Sequence, residues 1–77
     1  MSTAEILFEQ AFNVPRDPRS DAYKAGVLDA LRYCAGEIES LKSAMLYEMG
    51  TAEADAWFAG VIEGKLIWRD AQLEGAA

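Results

Sequence analysis

Histidine is absent from this 77-residue chain, and cysteine occurs once, at Cys34. Without histidine the commonest general base is missing, and a Cys/His metal site is excluded. A single thiol also excludes an intrachain disulfide. No catalytic residue, metal or cofactor is therefore expected. Proline is confined to Pro15 and Pro18. No apolar run approaches the roughly 18 residues of a transmembrane helix. Basic residues are scarce, seven against thirteen acids, giving a net charge of -6. That balance argues against a nucleic-acid surface and against binding to an anionic membrane. The opening "MSTAEILFEQ" holds Glu5 and Glu9 and no basic stretch, so it is not read as a secretory signal. With the lone thiol, this points to a cytoplasmic location.

What is present suits a folded chain, since 52% of the residues are hydrophobic. A chain this short buries a small share of its surface and usually leans on a disulfide, a metal or another subunit. The first two being absent, oligomerisation or a partner is the expected support.

The pattern predicts an all-α protein, one small domain over residues 1–77. Ser2-Thr3-Ala4-Glu5 has capping-box spacing and starts a short helix over residues 1–13, docked through Phe8 and Phe12. The loop at 14–19, "VPRDPR", follows, and Ser20 is a good N-cap. Apolar residues then fall at Tyr23, Val27, Ala30, Leu31, Cys34, Ile38, Leu41, Met45 and Met49. Steps of three and four predict one long helix over about 20–49, with a possible break at Gly36. Gly50 ends it, Thr51 caps the next, and a third helix over about 52–73 completes a helical hairpin.

The hairpin contains a repeat. "DAYKAGVLDA" at 21–30 returns as "DAWFAGVIEG" at 55–64, with five of ten positions identical. Each copy carries a ridge of small residues four apart: Ala22, Gly26 and Ala30, then Ala56, Gly60 and Gly64. Glycine within a helix costs roughly 1 kcal/mol relative to alanine. The ridges are accordingly read as close helix packing, not as a phosphate-binding loop, because no strand precedes them. Two straight helices joined at Gly50 would keep the ridges apart. They could meet if the long helix broke near Gly36, or if two chains paired about a two-fold axis. The homodimer is the preferred of these. Two copies are too few for a tetratricopeptide array.

On the last helix Trp57, Val61 and Trp68 share one side, and Phe58, Ile62, Leu66 and Leu73 an adjoining one. An apolar arc that wide calls for burial on two sides. Trp57, Phe58, Ile62, Leu66 and Trp68 are therefore the expected partner-binding residues, with Tyr33 and Tyr47 as outer contacts. Cys34, within the apolar stripe, is read as a buried packing residue rather than a nucleophile. The carboxylate pairs Asp55/Glu63 and Asp70/Glu74 are read as a solvated face. Arg16 and Arg19 precede a helix N-terminus, but bridges to Asp17 and Asp21 are favoured over anion binding.

"AYKAGVLDAL" and "DAWFAGVIEG" resemble the two helix cores of the ribosome modulation factor/CrpP group of very short bacterial proteins. "GTAEADAWFAGVIEGKLIW" is also similar to small proteins carried by proteobacterial phages and prophages. The resemblance covers residues 20 to 33 and 50 to 69. It implies a helical pair and, for the group's best-known member, binding to the small ribosomal subunit through a basic surface, where this chain is acidic. The leading expectation is a non-enzymatic helical interaction protein, phage- or prophage-encoded, that binds and modulates or inhibits a host protein. A ribosome-associated modulation factor is the alternative.

Overall fold

A computed structural model describes residues 1–76 as four helices: α1 (Thr3–Phe12), α2 (Asp21–Cys34), the single turn α3 (Leu41–Ala44) and α4 (Ala52–Ala76). No strand occurs among the described residues, so the protein is all-α. Among these residues, no helix is long and apolar enough to cross a membrane.

The helix starts follow their capping residues. At α1 the Glu5 N–H donates to Ser2 Oγ at 3.2 Å while the Glu5 carboxylate accepts from the Ser2 N–H, closing the capping box. Ser20 Oγ accepts the Tyr23 N–H at 3.2 Å to start α2. Thr51 Oγ1 accepts the Ala54 N–H at 3.1 Å to start α4.

The long helix expected over 20–49 is not continuous. It stops at Cys34, where Gly36 takes φ +78°. The Glu37 N–H donates to the Arg32 carbonyl at 2.8 Å and the Gly36 N–H to that of Tyr33 at 3.1 Å. This pair of bonds is a Schellman motif, which needs the left-handed conformation that glycine adopts without strain. The apolar steps past Gly36 belong instead to a crossover, residues 35–51, that carries the chain back along the helices.

Because the chain returns before α4 begins, α2 and α4 run side by side in the same direction. Their N-termini share one concavity, lined by Ser20, Asp21, Ala22, Tyr47, Ala52, Glu53 and Ala56. Further along, Leu31 packs in one cluster with Ile67 and Trp68. Residues 34 apart in sequence therefore lie opposite one another.

The small-residue ridges meet there. A Cβ on Gly26 would fall on the carbonyl oxygen of Trp57, and one on Gly60 on that of Tyr23. A Cβ on Gly64 would stand 2.6 Å from the Val27 oxygen and 2.7 Å from the Ala30 Cβ. Ala22 and Ala30 are buried alongside, and Ala56 is half-buried. The first two contacts are reciprocal: each copy's glycine faces the carbonyl of the other copy's aromatic. The repeat is thus a pseudo-two-fold interface inside one chain. The expectation that this pairing calls for a homodimer is corrected, since the break at Gly36 lets both ridges meet within one molecule.

Two clusters fill the core. Ala4, Val27 and Leu31 are fully buried, with Leu7, Phe8, Phe12, Tyr23, Leu28, Ile67 and Trp68 packed around them. This is where α1 docks, its Phe8 and Phe12 rings 4.7 Å apart. Burying a side chain the size of Val27 or Leu31 contributes roughly 1.5–3 kcal/mol. Ala30, Trp57 and Val61 form the second cluster, covered by Ala25, Leu41, Met45 and Tyr47.

Candidate functional site

The inner face of the helix pair is committed to packing and to two cross-copy hydrogen bonds. Trp57 Nε1 donates to Asp29 Oδ2 at 2.9 Å, and the Tyr23 hydroxyl donates to Glu63 Oε1. Tyr23 and Asp29 in the first copy correspond to Trp57 and Glu63 in the second. Each aromatic therefore donates to the acid of the opposite copy. Trp57 is 2% exposed; it is a core residue and not, as expected, a free partner contact. The reason is the wide apolar arc of α4, which is divided between neighbours within the chain and the outside.

Glu63 is not a solvated carboxylate either. Arg16 donates to both of its oxygens, Nη1 to Oε2 at 3.0 Å and Nη2 to Oε1 at 2.9 Å. Arg16 also donates to the Ala11 carbonyl at 3.3 Å, and its guanidinium lies 4.2 Å from the Phe12 ring centroid. One side chain thus ties the 14–19 loop to α1 and α4. The Arg16 hydrogen bonds hold the Glu63 carboxyl below its ordinary range, against the opposing effect of burial. Burial, then the bond to Glu63, pushes the Tyr23 hydroxyl up. Arg19 stacks over the Tyr23 ring at 4.7 Å. Arg16 pairs with Glu63, not with Asp17 or Asp21 as expected, and does so bidentately through its guanidinium fork.

The outer face of α4 is different. Phe58 (42% exposed), Ile62 (64%), Leu66 and Leu73 are all exposed. At 100° per residue they fall within an arc of about 80°. Beside this stripe the crossover folds back, leaving a groove of about 550 Å³ lined by Leu41, Lys42, Met45, Met49, Trp57, Phe58, Val61 and Lys65. Its lining is apolar apart from Lys42 and Lys65. Phe58 packs edge-on against Trp57 with centroids 5.1 Å apart, so the groove wall is braced by the core.

Of the expected contact residues, Phe58, Ile62 and Leu66 lie on this open face. Trp68 is half-buried against the α1 cluster, and Tyr47 is half-buried over Ala30, Trp57 and Val61. Both are corrected to packing residues. Tyr33 is exposed on α2 but does not line the groove. Cys34 is half-buried at the end of α2, not fully buried as expected.

Leu41, Lys42, Met45, Met49 and Lys65 also line the groove, and helical periodicity does not single them out. Their spacing puts Met45 and Met49 on the apolar stripe of one long helix, whereas α2 ends at Cys34. The 34-residue offset held a usable signal, because it aligns Tyr23 with Trp57 and Asp29 with Glu63. No family model, curated protein or solved structure matches the chain.

Proposed function

We propose that this chain is a non-enzymatic helical interaction protein whose working surface is the outer face of α4 with the groove beside it. One observation carries the reading. Phe58, Ile62 and Leu66 stay exposed in a continuous row although the opposite face of the same helix packs closely on α2 through Gly60 and Gly64. Scattered exposed apolar residues are ordinary, whereas a contiguous row beside a groove marks an interaction surface. Binding and modulation of a host protein by a phage- or prophage-borne chain is the setting that the resemblance to small phage proteins suggests.

The test compares the natural chain with Ile62→Asp, immobilised and exposed to bacterial lysate. Ile62 packs against little within the chain, so the helical signal and melting curve should be unchanged. The expected result is that proteins retained by the natural chain are lost by the variant. Equal retention by both would remove this face from the reading. Loss of the retained proteins on modest addition of salt alone would instead favour the ribosome-associated alternative.

A further inference from the structure

The groove carries a charge opposite to that of the molecule. The chain has a net charge of -6, yet the two charged side chains lining the groove are the lysines Lys42 and Lys65. Both are exposed, and the other lining residues are apolar. We infer that this groove takes one face of an amphipathic α-helix from another protein, an apolar row flanked by acidic residues. The inference rests on the reading of α4's outer face as a binding surface and names the class of partner.

The dimensions suit such an occupant. On the α4 side the groove is lined by Phe58, Val61 and Lys65, at i, i+3 and i+7, about 10 Å along the helix axis, and Ile62 and Leu66 continue the apolar surface beyond its edge. That spacing matches the i, i+3 and i+7 anchors of a helix laid alongside. A volume of about 550 Å³ lies within the range of small-molecule pockets, roughly 300–1,000 Å³, room for several aliphatic side chains. Met45 and Met49 on the crossover side are unbranched and polarisable, so they adapt to side chains of differing shape. Lys42 and Lys65 line the groove and are exposed, and a lysine in such a place covers apolar surface with its methylene stem while its ammonium group stays in water. There they meet carboxylates on the flanks of an incoming helix, and they oppose a helix with basic flanks.

Two synthetic peptides of roughly 18 residues, long enough to hold helical structure, provide the test. Both carry the same leucine row at i, i+4 and i+7; one has glutamates on its flanks and the other lysines. Fluorescence anisotropy of labelled peptide, titrated with the full chain, should show the glutamate peptide binding at least about tenfold more tightly. The double variant Lys42→Glu/Lys65→Glu should reverse the order, with an unchanged helical signal and melting curve confirming the fold. Equal binding of the two peptides, or binding of neither, overturns the inference. So does a concentration-dependent dimer abolished by Phe58→Asp, which would give the groove to a second copy of this chain. If the peptides fail while Ile62→Asp still strips proteins captured from lysate, the acidic-helix class falls and the surface stands. If both fail, the surface falls as well.

Discussion

Glu63 accepts three hydrogen bonds, two from Arg16 and one from Tyr23, and so fixes the 14–19 loop, α2 and α4 to one another. Its folded-state pKa is lowered, chiefly by Arg16. The stabilisation is therefore present in full above the unfolded value, near pH 4.3 for glutamate, and is lost as pH falls through the folded value. Glu63→Gln should lower stability at neutral pH by about 1.5–3 kcal/mol, the range for hydrogen bonds to a charged group. Denaturation midpoints across the acid range should show the two proteins converging as the natural Glu63 is protonated. Parallel curves would mean that the ion pair contributes nothing. This contact was not legible in the sequence. Asp17 and Asp21 lie near Arg16 along the chain, whereas Glu63 is 47 residues away and is brought to it only by the parallel helix pair.

At the scale of elements, the glycines divide by the physical reason for their presence. Gly36 and Gly50 are needed for their positive φ, and neither has a neighbour within 4 Å of a built Cβ. Gly26 and Gly60 are needed for space, because backbone carbonyl groups occupy the position a methyl would take. Gly26→Ala and Gly60→Ala should therefore each destabilise by roughly 1–3 kcal/mol or more through overpacking, despite alanine's better helix propensity. In a domain this size that lowers the melting temperature by at least about 4–8 °C. Gly75→Ala, with open space around it, should leave the melt unchanged or raise it slightly. Equal effects at all three sites would contradict the packing account. The ridges were legible because a costly glycine recurring every four residues demands a packing reason. The helix break was less so: apolar period continues through Ile38, Leu41, Met45 and Met49, of which Leu41 and Met45 pack on the core from the crossover while Met49 is exposed.

At the scale of the whole molecule, the repeat makes one chain resemble a fused pair. Two copies of a self-complementary helix, each presenting an aromatic, a glycine and an acid at i, i+3 and i+6, close on each other. The two ridges thus pack on each other within one chain. The apolar breadth of α4 was legible, but its division was not. Trp57 and Val61 turn to α2 and the crossover, Ile67 and Trp68 to the α1 cluster, and Phe58, Ile62 and Leu66 outward. Periodicity orders residues around a helix without saying which neighbours arrive, and here the direction of α4 decides that. The direct test places cysteines at the two helix starts, Asp21→Cys and Glu53→Cys, in a Cys34→Ala background. Both positions are exposed and line the same concavity. A short bismaleimide at high dilution should join them within one chain, leaving a monomer-sized product with a single cross-link. In an antiparallel pair these positions would lie roughly 20 Å apart, the length of α2. Failure to cross-link, or cross-links formed only between chains, would contradict the account.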